Sequence, residues 1–204
     1  MSEHLLSVVI FLPLLGVVGL LIGGRQVSDH GARWITLLVT LMTFAVSLTI
    51  LGRFTATDPG YQLLEQASWV PSIGLQYLVG VDGISLWLVL LTTFLFPISV
   101  LASWKVTAEV RRYMIAMLVL ETAVLGTFLA LDLIVFFIFF EAILVPMYLL
   151  IGGWGGERRV YAALKFFLYT MAGSALLLVA ILFLYFRAGS TTGTPTFDLR
   201  ELQQ

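Results

Sequence analysis

Residues Leu133–Gly152 read LIVFFIFFEAILVPMYLLIG, twenty residues with a single charge, Glu141. At about 1.5 Å per residue, such a run crosses a bilayer core as one helix. A carboxylate near the bilayer centre costs at least about 3 kcal/mol on insertion scales. An acid kept there lines a water-filled cavity, carries protons or pairs with a buried cation. Glu141 is therefore the leading functional candidate, and the chain reads as membrane machinery that handles protons or ions.

The rest of the sequence agrees with that class. Of 204 residues, 60% are hydrophobic and 11% charged, with a mean hydropathy of +1.02; a soluble domain carries about a quarter charged residues. A net charge of −1 and the lack of any basic run argue against a nucleic-acid partner. There is no cysteine, which excludes disulfides, thiolate-held zinc and iron–sulfur clusters ligated in the usual way. His4 lies before the first apolar run and His30 after it, so the two are expected on opposite membrane faces and cannot jointly ligate a haem. Glu3 and His4 stand where a signal peptide would be basic, and no small-residue cleavage site follows, so Leu5–Gly24 is expected to be a retained span.

Long apolar windows predict six helices, at Leu5–Gly24, Trp34–Leu51, Gly83–Trp104, Tyr113–Leu131, Leu133–Gly152 and Ala162–Phe186. Gly16, Gly19 and Gly23 lie close to one face of the first, a small-residue stripe suited to helix packing. Loops one, three and five hold Arg25, Arg33, Lys105, Arg111, Arg112, Arg158, Arg159 and Lys165; the other side holds Arg53, Arg187 and Arg200. This bias predicts both ends outside and the basic loops in the cytoplasm. The loop at 52–82 is the only long internal one. Its Ser68–Leu78 segment suits a short hairpin on the outer face, with Trp69 and Tyr77 read either as an interfacial belt or as a docking surface. Asp82 is expected to cap the third helix.

Glu121 is a second acid inside a span. It lies eleven residues before Asp132 at the turn between helices four and five, and Glu141 lies nine after it, which puts both about 13–17 Å deep. Whether they face each other is not decided by spacing. A buried setting favours the neutral acid and a nearby cation the ionised one, so a site alternating between them takes up and releases protons. The rival reading for both is an acid hydrogen-bonded within the bundle. Pro146 cannot donate to the carbonyl of Ala142 and is expected to kink the fifth helix, read either as a purely structural kink or as a seat for water beside Glu141. Lys165, placed in the first turn of the sixth helix, reads as a proton-entry residue or as a snorkelling anchor.

The pieces LALDL, FEAILVPMYLLIG, WGGERR and KFFLYTMAGS between Ala130 and Ser174, with GVDGISLWLVLLTTFL at Gly80–Leu95 and SWK at Ser103–Lys105, resemble one family. It is the chain M family of proton-translocating NADH:quinone oxidoreductase, respiratory complex I, whose mitochondrial counterpart is NADH dehydrogenase subunit 4. The resemblance covers nearly the whole chain and is weakest in the first two helices. It implies an all-α polytopic membrane protein, the N-terminal six-helix portion of an antiporter-like fold of about fourteen helices. Residues 1–104 would be three N-terminal helices with the outer loop at 52–82, residues 105–187 the first three helices of the first antiporter-like repeat, and residues 188–204 a polar tail before the next helix.

The resemblance further implies that Glu141 matches the family's fifth-helix glutamate, which pairs with a lysine of the seventh helix. That lysine has no counterpart here, so the chain is expected to be truncated unless another polypeptide supplies the rest. No cofactor is implied on this chain: NADH, flavin, iron–sulfur clusters and quinone would belong to partner subunits. The implied partners are the adjacent antiporter-like membrane subunits and the lipid bilayer, with the quinone pool reached indirectly, in a bacterial plasma membrane. Two rivals stand beside this reading, a subunit of a multisubunit Na⁺/H⁺ antiporter and a non-catalytic scaffold fragment.

Overall fold

The computed structural model describes residues 4–58 and 60–203; Glu3 and the side chain of Arg25, both weighed above, lie outside the described residues. Six helices long and apolar enough to cross a membrane run up and down: α1 Leu5–Ile22, α2 Asp29–Leu51, α3 Gly83–Ala102, α4 Val110–Leu129, α5 Leu133–Trp154 and α6 Arg159–Thr192. The strands β1 Gln62–Val70 and β2 Leu75–Val81 lie between α2 and α3, and a single helical turn, α7 Leu199–Leu202, follows α6. The α1–α2, α3–α4 and α5–α6 connections share one face, called here the basic side, and the hairpin occupies the other.

Helix ends differ from the apolar windows where polar chemistry extends a helix beyond the hydrocarbon. α2 begins at Asp29, five residues early, because Ser28 accepts a bond from the Gly31 N–H as its N-cap. α3 starts as expected, with Asp82 and Ser85 forming a reciprocal capping box, but it ends at Ala102 and Ser103–Lys105 form a 3-10 turn. α4 starts at Val110 rather than Tyr113 and ends at Leu129 rather than Leu131. α6 is the largest departure, 34 residues that stop at left-handed Gly193.

α4 is the most enclosed span, packed against α1, α2, α3 and α5, whereas α6 leans mainly on α5. Two apolar clusters fill the interior. One, on the hairpin side, joins Ile10, Ile50, Val79, Leu86, Leu125 and Leu129; the other, on the basic side, joins Leu20, Leu37, Val100, Met114 and Leu118. The glycine stripe of α1 is used only in part: a side chain at Gly16 would meet Leu118 and Val39, while Gly19 faces open space.

The hairpin is longer than the predicted Ser68–Leu78, with Gln62 opposite Val81 and Gly74 turning it at φ 69°. It is tied to the bundle at two places. Glu65, buried, accepts from the N–H of Leu6 at 2.6 Å and of Ser7 at 3.1 Å, and from the Ser7 hydroxyl. α1 has no cap of its own at His4, so a strand residue nearly sixty positions away satisfies its first turn. Tyr77, weighed above as a belt or docking residue, bonds Ser7 Oγ at 2.9 Å and lies tilted against the Phe11 ring; burial and the adjacent Glu65 charge raise its pKa, opposed by the Ser7 bond. Trp69 is exposed, in keeping with an interfacial position.

Replacing Glu65 by Ala leaves those amides without an acceptor, at about 1.5–3 kcal/mol for charged hydrogen bonds. Hydrogen exchange should then report lost protection at Leu6 and Ser7 while the α4 core stays protected.

Candidate functional site

α5 is positioned by its first residue and by one close approach. Asp132 caps it, accepting from the N–H of Ile134 and Val135. Three residues before its end at Leu129, α4 presents Gly126 to the Phe139 ring so closely that any side chain there would collide with it. This contact fixes both register and rotation. Counting five residues back along α4 and five forward along α5, Glu121 lies level with Leu144, and Glu141 is about 4–5 Å nearer the hairpin side. Two residues beyond Phe139, Glu141 is turned about 200° around α5, away from α4. Glu121, five residues before Gly126, is turned about 140° from α5, into the α1–α3 side of the bundle. The two acids do not form a pair, which answers the question that spacing left open.

Their surroundings differ accordingly. Glu121 is fully buried at the waist between the two apolar clusters, and neither of its carboxyl oxygens has a hydrogen-bond partner; nor does the Thr122 hydroxyl beside it. The interior also holds the buried hydroxyls Thr40, Thr43 and Ser47 of α2, the last bonded to Thr93 of α3 at 2.8 Å. Glu141 is half-buried, with Oε1 sheltered and unpartnered. A buried carboxyl oxygen with no donor costs about 1–3 kcal/mol, so two such groups mid-membrane are not explained by stability. The helix continues unbroken past Pro146 to Trp154, with Pro146 itself buried.

Lys165 lies in the second turn of α6, not the first, because α6 starts at Arg159. It is exposed, with Nζ 6.0 Å from the Tyr161 ring centroid, and no bond joins it to either acid. The two ion pairs among the described residues are Arg112–Glu109 and Arg200–Asp198, both at the faces. No cluster of three His, Asp or Glu capable of holding a metal occurs among them.

Sequence reasoning did not find the acid network on the hairpin side. The turn at Ala130–Asp132 pairs with β2 on one edge, Leu131 N–H donating to Leu78 O, and with the tail on the other, Leu199 N–H donating to Leu131 O and Leu133 N–H to Phe197 O. Asp132 and Asp198, both buried, are bridged by Gln76, whose N–H donates to one and whose amide donates to the other. Burial, with the charge of Asp198, raises the Asp132 pKa against three backbone N–H bonds. Burial also opposes ionisation of Asp198, but the hydrogen bonds and charge of Arg200 outweigh it and hold this acid below the usual carboxylate range. The only signal in the sequence was the D-L-R spacing of a capped turn carrying its own cation.

A cleft of about 470 Å³ opens between α4, α5 and α6 toward the basic side, walled by carbon and rimmed by Glu109 and Arg112.

Comparison with known proteins fits this arrangement. Residues 27–132 match the family described as NADH-ubiquinone oxidoreductase chain 4, amino terminus, and residues 130–203 match the NADH:quinone oxidoreductase/Mrp antiporter transmembrane family. NADH-quinone oxidoreductase subunit M of Rhodobacter capsulatus is 48% identical over 93% of this chain and 37% of its own length. NADH-ubiquinone oxidoreductase chain 4 of Marchantia polymorpha is 42% identical over 91% and 38%. The chain thus spans about two fifths of the length of these curated relatives. Among solved structures, a chain of respiratory complex I from Thermus thermophilus with bound NADH superposes with a TM-score of 0.78 at 31% identity, over 99% of this chain and 38% of that one. A chain of the Mrp complex from Dietzia sp. shares the fold, with a TM-score of 0.72 at 16% identity, over 96% of this chain and 20% of that one.

The acid network sets a pH dependence for the tail. Asp198, depressed in the fold, adds stability that is present above its unfolded pKa and lost as pH falls through its folded pKa. Asp132, shifted upward, costs stability once pH exceeds its raised value. Exchange protection of the Leu199 and Leu133 amides, corrected for intrinsic rates, should therefore fall in acid below the usual carboxylate range. In Asp198→Asn that acid limb should vanish and protection should be lower throughout.

Proposed function

Because the chain belongs to the NADH-ubiquinone oxidoreductase chain 4 family, we propose that it works as an antiporter-like proton-translocating subunit in the membrane arm of NADH:quinone oxidoreductase. The observation that carries this reading is Glu141, a mid-membrane carboxyl with a sheltered, unpartnered oxygen on the face of α5 turned away from α4. An acid in that position is ready to exchange a proton with water or with a cation brought to it from outside these six helices. Glu121 is a second holding site inside the α1–α4 bundle, and Lys165 a surface residue on the route toward the basic side. Residues 105–187 form the start of the antiporter-like repeat.

Electron transfer belongs to partner subunits. With no cysteine, and with His4 and His30 at opposite faces, this chain offers no ligand set for a cluster or haem. Neighbouring antiporter-like subunits would couple to it within the membrane, and quinone chemistry would reach it only through them. The membrane is a bacterial plasma membrane, with the basic side in the cytoplasm and the hairpin outside.

Glu141→Gln in the assembled complex should reduce NADH-driven proton pumping severalfold while subunit assembly is preserved; unchanged proton-to-electron coupling would remove Glu141 from the mechanism. Transport driven by an ion gradient alone and indifferent to quinone-site inhibitors would favour the antiporter reading. The orientation is tested separately, since the chain has no native cysteine. With an impermeant maleimide, Ser68→Cys should label from outside the intact cell and Glu157→Cys only after the membrane is opened.

A further inference from the structure

The unpartnered oxygens of Glu121 and Thr122 lie beside two breaks in neighbouring helices. Glu121 is fully buried, and neither its carboxyl oxygens nor the Thr122 hydroxyl meets a partner. Other threonines of the spans, such as Thr43 and Thr127, donate to a carbonyl four residues back, whereas Thr122 does not. Pro13 of α1 and Pro97 of α3 are both buried inside their helices. Proline has no N–H, so the carbonyls of Val9 and Thr93 lose their helical donors. Within a membrane such carbonyls are met by a neighbouring side chain or by ordered water.

Two contacts set the relative depths. Gly16 of α1 lies against both Leu118 of α4 and Val39 of α2, and Ser47 of α2 bonds Thr93 of α3. Helices α1 and α3 run away from the hairpin side, while α2 and α4 run toward it. From the Gly16 contact toward the hairpin side, Glu121 and Pro13 lie about 4.5 Å along and Thr43 about 6 Å. Ser47 and Thr93 lie about 12 Å along, which brings Pro97, four residues back on α3, to about 6 Å. An acid, a hydroxyl and two proline breaks from four helices thus fall within one helical turn.

The chemistry of these groups selects the ligand. Carbonyls only accept hydrogen bonds, so whatever serves Val9 and Thr93 has to donate. A single cation matches poorly: consecutive helical residues point about 100° apart, so Glu121 and Thr122 open on different sides of α4 and do not converge on one ion. Water both donates and accepts, and a few polar partners suffice to hold it in a protein interior.

We propose that Glu121 and Thr122 hold a buried cluster of water molecules in the α1–α4 bundle, lodged against the Pro13 and Pro97 breaks. One water accepts the Glu121 carboxyl proton and donates to the Thr93 carbonyl. It also donates to Thr43, whose own hydroxyl proton is given to Val39 O and whose lone pairs remain open. Another accepts from Thr122 and donates to the Val9 carbonyl. The inference rests on the reading of Glu121 as a proton-holding acid, and it supplies the partner that shares the proton. The six helices alone enclose Glu121, so this filling does not depend on what covers α5 and α6.

X-ray radiolysis of the complete complex tests the cluster, because hydroxyl radicals formed from a bound water oxidise the side chains beside it. Mass spectrometry should find oxidation at Pro13 and Pro97 well above that at Ile50 and Leu125, equally enclosed members of the apolar cluster. Thr122→Val should lower the signal at Pro13, and Glu121→Leu that at Pro97, by about fivefold, the occupancy change for one lost hydrogen bond. Glu121→Gln keeps a donor and an acceptor and should keep the Pro97 signal. If Glu121→Leu fails to assemble, the wild-type pattern and the near-isosteric Thr122→Val still decide. Oxidation at the two prolines no higher than at Ile50 and Leu125 would overturn the cluster. A signal that follows sodium concentration at constant ionic strength would assign the site to a cation and overturn it as well. Pumping is read separately on the same variants: a dry site with pumping lost in Glu121→Leu removes the water but not the proton-holding role, and a wet site with pumping unchanged removes the role but not the water.

Discussion

Three residues, Ala130–Asp132, hold the bundle together. A link that short between two membrane-length helices permits only an antiparallel pair in direct contact, and that contact is tight enough to require glycine at 126 beneath Phe139. The link's own backbone is satisfied from both edges, by Leu78 of β2 and by the tail at Phe197–Leu199, so the hairpin, the turn and the tail form one ribbon across the end of the bundle. Asp132 then caps α5. If this turn shifted by one residue, the rotation of α5 would change by about 100° and Glu141 would no longer face away from α4.

The hairpin gains its place from the same economy of polar groups. Helix α1 starts without a capping side chain, and its first amides are satisfied by Glu65 from the far strand. The ribbon therefore clamps both α1 and α5, the two helices that flank α4. Since α4 is the most enclosed span and carries Glu121, the outer ribbon sets the position of an acid at mid-depth without touching it.

Much of the fold could be read from hydropathy: six spans, their alternation, the Asp82 cap and the hairpin all follow from composition and turn chemistry. The misplaced boundaries have a common cause. Hydropathy measures how much of a helix lies in hydrocarbon, whereas a cap such as Ser28 or Gly193 determines where the helix ends, so α2 and α6 run past their apolar windows. The acids illustrate a second limit. Counting from Asp132 converts sequence spacing along α4 and α5 into distance from the turn, because rise per residue is nearly constant. It gave no rotation, because rotation depends on which face packs, and that was decided by Gly126 and Phe139. Glu65, Gln76 and Asp198 escaped notice altogether: each acts on a partner between about 55 and 120 positions away in sequence, and no local pattern marks such a residue.

The division between the two acids is the main consequence for function. Glu121 faces a closed bundle in which the α2 hydroxyls already bond helix carbonyls, as Thr40 does with Leu37 and Thr43 with Val39, while the Thr122 hydroxyl beside it has no partner. Glu141 faces the side where α6, the least enclosed helix, is its neighbour and where no cation among the described residues reaches it. A buried charge without a partner is strongly destabilising, and one that gains and loses a partner changes its hold on a proton. Of the two, only Glu141 lies where a partner can approach and withdraw without dismantling the core, and on the proposed reading that accessibility makes it the exchanging acid while Glu121 holds a proton within the closed bundle.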